Sequence, residues 1–385
     1  MLLGDLIVNY DFKRVPLSSK QREQMKNKTY PYYGAQGIID YVEDYLFDGE
    51  YMLIAEDGEN LRSRKQPIAT IVSGQFWVNN HAHIVTNNNS ANLVFLCYWL
   101  NSSNVSEYIT GSAQPKLNQA NMNIIPLPDL TKSQQDDFAT VIAIYDGKIS
   151  SNENHLEILN NTVQTIYQCW FCDFNYPNAT GEMRKSEKLH IEVPKNWKEM
   201  KFGDFLTHCS EKIGDIEAPI YSTTNNGIAL RDEKFNKNLS KSHKTNKKIV
   251  KDDLIFGLSR EILNFGVVTA EIGSVSPVYQ VFKINQTVFL PFMLELEIRI
   301  NMQNYMDILQ LGAREGQGIS KDYLLNKYIL VPDIEVQKRF AEIYNTIQDK
   351  IAKLKEENAV LAAIRDALLP KLMSGEMQVE SEVGE

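Results

Sequence analysis

Two histidines stand two residues apart in Val78-Asn79-Asn80-His81-Ala82-His83, and in an extended strand that spacing puts both rings on one face. As metal ligands they lack a third partner by sequence, so hydrogen bonding, within the fold or to DNA, is the expected use. Cys169-Trp170-Phe171-Cys172 is a lone CxxC in an apolar helix-end segment, whereas a zinc site wants a second pair at suitable spacing. Cys97, Cys169, Cys172 and Cys209 are therefore read as core thiols, with no metal. Gly312–Gly318 is glycine-rich but has no strand-to-helix context that would make it a phosphate cradle. Neither an Asn/Asp-Pro-Pro-aromatic motif for amino methyl transfer nor a glycine loop followed by Lys-Ser/Thr is present. No residue is assigned a catalytic role.

Side chains suited to nucleic acid are more evident. Asn79 and Asn80 carry the paired donor and acceptor that match adenine edges, and Arg62, Arg64 and Lys65 suit phosphate or guanine. His81, Lys116 and Arg260 complete the isolated candidates. The net charge is −9, but it is unevenly spread. Residues 195–331 carry 18 basic and 16 acidic side chains, while 131–194 and 332–385 are acidic. From Lys234 to Lys251 there are seven lysines and no carboxylate, with Lys237, Lys241, Lys244, Lys247 and Lys248 as candidate phosphate contacts. Phosphate binding needs a local basic surface rather than a basic chain.

The elements that must position these groups come in two copies. Gly4-Asp5-Leu6 opens one and Gly203-Asp204-Phe205 the other; Pro128-Asp129 and Pro332-Asp333 close them, each before a long helix pattern. The first pattern runs Phe138, Ile142, Tyr145, Ile149, Asn152, Leu156, Leu159, Val163, Ile166, Trp170, and the second Phe340, Tyr344, Ile347, Ile351, Leu354, Asn358, Leu361, Arg365, Leu368, Leu372. Steps alternating four and three make a heptad seam, and one asparagine interrupts each. Chain connectivity favours an intrachain antiparallel coiled coil in the register that sets Asn152 against Asn358 and Tyr145 against Arg365. Pro370 makes the outermost layers near Leu372 doubtful. The rest reads as mixed α/β (α+β). Strands are expected at Tyr51–Ala55, Ile68–Val72, Phe76–Val78, His83–Thr86, Asp253–Leu258, Val267–Thr269 and Pro277–Ile284, and helices at Asn92–Asn101 and Leu290–Gln303. The expected division is 1–130, first helix 131–175, 176–333, second helix 334–373 and an acidic tail 374–385. At 385 residues the chain can bury two cores, and no run approaches the roughly 20 apolar residues that cross a bilayer. The N-terminus lacks the pattern of a signal peptide, so a cytoplasmic protein is expected.

Tyr30-Pro31-Tyr32-Tyr33-Gly34-Ala35-Gln36-Gly37-Ile38-Ile39-Asp40-Tyr41 resembles the target recognition domain of type I restriction–modification specificity (S) subunits. Phe47–Tyr51, Ala55–Gly58 and Trp77–His83 add to the likeness, Gly111–Asn118 with Ile125–Pro128 resembles that family's exit into its helical spacer, and Leu368–Glu376 its C-terminal stretch. The second globular segment matches less well, and Tyr221–Ile228 only loosely echoes Tyr32–Ile39. The resemblance implies two target recognition domains in a pseudo-twofold duplicated fold, reading a bipartite double-stranded DNA target. It implies a non-catalytic chain that binds no cofactor. Two methyltransferase (modification) subunits would supply adenine methylation with S-adenosylmethionine, and restriction subunits would use ATP and Mg. The rival reading is a stand-alone sequence-specific DNA-binding protein, a regulator with no methyltransferase partner.

Overall fold

In the first hundred residues, short runs rich in Val, Ile, Tyr and Phe alternate with Gly and Asn turns, the composition of pleated strands. The computed structural model describes residues 1–231, 243–258, 262–310, 318–374 and 376, and these runs form its largest sheet. Its strands are β1 (Ile7–Asn9), β2 (Tyr30–Gly34), β3 (Gly37–Val42), β4 (Phe47–Ala55), β5 (Ala69–Val78) and β6 (Ala82–Asn87), in the order β1-β6-β4-β5-β2-β3. Neighbours are antiparallel except β2 and β5, where Tyr32 lies beside Trp77 and Tyr33 beside Val78. The sequence pattern divides residues 68–78 into two runs. The chain makes one strand of them, because Gly74 sits opposite Gly49 and the ladder to β4 carries through.

Helix α1 (Leu93–Ser102) starts at Asn92, whose side chain accepts from the amides of Val94 and Phe95. It buries Phe95, Leu96 and Leu100 against Leu3, Met52, Ile54 and Val85 of the sheet side. Phe138 and Ile142 of helix α2 (Lys132–Tyr167) join the same core, Phe138 standing edge-on to Phe95 at 5.4 Å.

The chain forms two compact units, Met1–Asn154 with Leu354–Glu385, and His155–Lys353. In the second unit, β7 (Lys198–Lys201) is followed by β8 (Leu206–Cys209), β9 (Tyr221–Thr224), β10 (Gly227–Leu230), β11 (Lys247–Val250), β12 (Leu254–Phe256), β13 (Phe265–Val267), β14 (Ile272–Val275), β15 (Gln280–Ile284), helix α3 (Pro291–Ile300) and β16 (Tyr328–Val331). One sheet has the order β8-β15-β12-β13, and β9–β10, β11–β14 and β7–β16 pair separately. The expected strand at 267–269 lies instead at Phe265–Val267, placed by its ladder to Leu254–Phe256. Helix α4 (Ile334–Met373) closes the order. The long helices α2 and α4 each contribute one part to the first unit and the other to the second. Val163 and Tyr167 of α2 and Phe340, Ile347 and Ile351 of α4 bury in the second core.

Corresponding positions in the two units do the same work. Gly4 opens the first copy because a Cβ there would lie 2.8 Å from Asn123; at Gly203 it would lie 2.9 Å from the Leu325 carbonyl. Two wholly buried glutamines repeat as well. Gln135 accepts from the Asn92 amide (2.9 Å) and donates to the Leu130 carbonyl (3.0 Å). Gln337 accepts from the Leu290 amide (2.9 Å) and donates to the carbonyls of Val288 (2.8 Å) and Pro332 (2.9 Å). Each ties the first turns of a long helix to the N-terminus of α1 or α3.

Within the first unit, Asn152 Nδ2 donates to Asn358 Oδ1 and to Glu357 Oε2, both at 2.8 Å. In the expected register Arg365 stands opposite Tyr145, and its guanidinium pairs with the neighbouring residue. Its Nη1 donates to Asp146 Oδ1 at 2.8 Å, and Tyr98 also donates to that carboxylate. A half-buried guanidinium gains more from a carboxylate one residue away than from the ring, because the charge-assisted bond replaces lost water. Residue numbers rise on α2 as they fall on α4, so the facing segments run antiparallel there. Pro370 does not end α4, which continues to Met373 with Leu372 and Met373 buried. Only about one turn follows the proline, and burying those two side chains offsets the lost backbone hydrogen bond. Among the described residues no helix is long and apolar enough to cross a membrane.

Candidate nucleic-acid interface

In the first unit β2 turns directly into β3. Tyr33 pairs with Ile38 and Gly34 with Gly37, leaving Ala35-Gln36 as a two-residue tip. Gly37 takes φ +108°, which an L side chain rarely adopts. Residues 34–37, Ala55, Gln66 and Ala82 line a hollow of about 220 Å³. The turn 79–81 stands beside it, since the Asn79 amide donates to the Tyr33 carbonyl at 3.0 Å.

The sequence-derived candidates here fall into different classes. Asn79 is buried, and its Oδ1 accepts from the His81 amide at 2.8 Å, so its side chain shapes the turn. Asn80 is exposed, with its side-chain amide unpaired among the described residues. His81 Nδ1 lies 2.7 Å from Asp57 Oδ2, and its ring is half exposed. Arg62 reaches the carbonyls of Ser112 (2.9 Å) and Gly111 (2.5 Å), holding that loop. Arg64 donates to the carbonyls of Leu100, Asn101 and Ser103 at 2.7–3.0 Å, satisfying the last turn of α1. Lys65 is exposed and unpaired among the described residues. Lys116 is half exposed, with Nζ 3.1 Å from Glu56.

His81 and His83 do not share a face. The strand begins at Ala82, so its alternation starts after His81, and His83 points inward. Its Nδ1 lies 2.5 Å from Asp11 Oδ2 and its Nε2 2.8 Å from the Leu117 carbonyl. Asp11, Glu56 and His83 thus converge in a way the sequence did not reveal, since Asp11 and Glu56 lie far from the histidine in the chain. Their geometry would admit a cation, but Arg14 already lies 2.7 Å from Glu56 and 3.4 Å from Asp11, and Lys116 approaches Glu56 from the other side. The donor set fits an ion-pair network better than a metal centre. Burial disfavours both ionised carboxylates, yet the His83 and Ile84 hydrogen bonds hold the Asp11 pKa below its ordinary value. Arg14 and Lys116 do the same for Glu56.

In the second unit the described part of the lysine run is Lys244, Lys247, Lys248 and Lys251, and three of these meet carboxylates that the run itself lacks. Lys244 pairs with Asp215, Lys248 with Glu211 (2.9 Å) and Lys251 with Glu271 (3.4 Å). The fold supplies these carboxylates from outside the run: β11 lies against β14, and the 211–215 segment crosses its end. Lys247 Nζ donates to the Tyr279 carbonyl at 2.5 Å, and burial pushes its pKa down. Lys237, Lys241 and Arg260 lie outside the described residues.

The second unit also contains a hairpin that the sequence reading recognised only as a loose echo. Thr223 pairs with Ile228 and Thr224 with Gly227, leaving Asn225-Asn226 as the tip, and Gly227 takes φ +114°. The two pairs nearest the tip match those of β2–β3; beyond them β2–β3 shifts register between Tyr32 and Tyr33, whereas β9–β10 pairs regularly. The signal was present as Asn-Asn-Gly and Ala-Gln-Gly between short strand patterns.

Residues 3–161 match the sequence model of the type I restriction modification DNA specificity domain. The type I restriction enzyme MjaIX specificity subunit of Methanocaldococcus jannaschii is 24% identical over 311 residues, 74% of this chain and 69% of that one. The EcoprrI specificity subunit of Escherichia coli is 32% identical over 88 residues, 23% of this chain and 21% of that one. The crystal structure of a type I restriction–modification S subunit from M. genitalium shares the fold, with a TM-score of 0.55 at 13% identity, covering 97% of this chain and 95% of that one. Residues 3–161 thus carry a type I restriction modification DNA specificity domain, and the chain is similar to a specificity subunit over 74% of its length.

Proposed function

We propose that this chain is the DNA specificity subunit of a type I restriction–modification complex. Each unit reads one half of a two-part duplex target, in a pseudo-twofold duplicated architecture. Helices α2 and α4 pair as an antiparallel coiled coil that sets the spacer. For heads reading one face of B-DNA, half-site centres lie about one turn apart, ~10 base pairs. The chain performs no chemistry. It docks two modification subunits, which methylate adenine with S-adenosylmethionine, and restriction subunits that use ATP and Mg and cleave unmethylated DNA.

The observation that carries this reading is the recurrence of the same local features in both units. The glycine entry, the buried glutamine and the two-residue hairpin recur with the same local physics, while the exposed residues on them differ. A repeated frame with varied tips suits a target with two unlike halves. The test is co-expression with the modification subunits, followed by single-molecule sequencing of methylated adenines. The expected result is a two-part motif that disappears without this chain. Specific DNA binding by the isolated chain, with no new methylation from a folded complex, would contradict the reading and favour the stand-alone DNA-binding protein.

A further inference from the structure

We propose that the tips of the two matched hairpins are base-reading elements, with Gln36 in the first unit and Asn225 and Asn226 in the second recognising adenine edges. The inference rests on the two-part specificity reading above and names the residues that would carry it.

A side chain that reads a base needs three things: exposure, hydrogen-bonding groups not already satisfied by the protein, and a backbone stiff enough to aim them. Most candidates fail one. Asn79 and Arg64 are engaged in holding the fold, and Lys248 is paired. Gln36, Asn225 and Asn226 are exposed, and their side-chain amides have no partner among the described residues. Each amide offers a donor beside an acceptor, the pattern that matches adenine N7 and N6 in the major groove.

The backbones beneath them are held. In the first unit, a Cβ at Gly34 would sit 3.3 Å from Asn79 Nδ2, so β2 and the 79–81 turn pack closely. Gln36 Nε2 lies 3.9 Å from the position a Gly58 Cβ would take, next to Asp57 and its His81 partner. In the second unit, Arg299 Nη1 donates to the Asn225 carbonyl at 3.0 Å and is itself fixed by Glu295 at 2.6 Å. Thr224 Oγ1 accepts from the Asn226 amide (3.2 Å) and donates to the Gly227 carbonyl (3.0 Å). Ordering these tips on DNA therefore costs little backbone entropy.

The experiment uses the full chain in complex with its modification subunits, with methylated motifs mapped for wild type, Gln36→Leu and the double variant Asn225→Leu/Asn226→Leu. The expected result is that preference at a position of one half-site falls roughly tenfold or more for Gln36→Leu. The double variant should do the same in the other half-site, with the spacer unchanged in both. Gln36→Glu keeps the shape but replaces the donor by an acceptor, and should move the preference at that position toward cytosine. Motifs identical to wild type in all variants would overturn the hairpin assignment while leaving the specificity role standing. Uniform weakening over all sequences would also overturn it, since that marks backbone contact. Absence of any motif with wild type would remove both readings.

Discussion

Gln337 is fully buried, and both ends of its amide are satisfied by backbone groups. Gln337→Leu leaves the Leu290 amide and two carbonyls short of a partner. About 2–3 kcal/mol of stability should be lost, read by urea unfolding. A change below about 0.5 kcal/mol would mean that water replaces the clamp. The Asp11–His83–Glu56–Arg14–Lys116 network makes a prediction about acid. Asp11 and Glu56 have folded pKa values below their ordinary ones, despite the opposing effect of burial. Their contribution is therefore present above the unfolded carboxylate range, about pH 4, and is lost as pH falls through the depressed values. Asp11→Asn should flatten the acid limb of a stability–pH profile. An acid limb identical to wild type would remove Asp11 from the account.

The long helices were the most legible elements, because a 3–4 spacing of apolar residues is local and each seam carries one asparagine. Asn152 and Asn358 meet within hydrogen-bond distance. Asn152 Oδ1 is buried without a partner among the described residues, so this contact favours register at some cost to stability. Replacing both asparagines by Leu should raise the unfolding midpoint; a lower midpoint would show that the amide pair is net stabilising. Pro370→Ala restores one backbone donor inside α4 and should stabilise the chain by about 1 kcal/mol or more in thermal melts. No gain would mean that the last turn is held by Leu372 and Met373 alone. Strand pairing was less legible, since nothing local in Tyr30–Gly34 says that it lies parallel to Ala69–Val78. The candidate contacts were legible by residue type only. Arg64 and Lys248 look available in sequence, and only the fold brings Leu100, Ser103 and Glu211 to them. The hairpin tips were missed because an Asn or Gln in a turn is ordinary until its register is known to recur.

The two compact units divide at Asn154/His155 on α2 and at Lys353/Leu354 on α4, well inside each helix. Two cores joined through continuous helices are what a molecule needs if the distance between its reading surfaces is part of the specificity. The acidic excess lies mostly in the helical segments and tail, while residues 195–331 are slightly basic. On the proposed reading, that distribution disfavours phosphate contact along the helices and leaves it to the globular parts. A matched insertion of seven residues at both junctions keeps the heptad phase and lengthens the helix pair by about 10.5 Å, at ~1.5 Å per residue. The most direct test of two heads on one helical spacer is the methylated motif of a complex carrying that chain, mapped by single-molecule sequencing. The account predicts that both half-sites keep their sequences while the gap between them grows by about three base pairs, at ~3.4 Å each. Unchanged half-sites with an unchanged gap would contradict it.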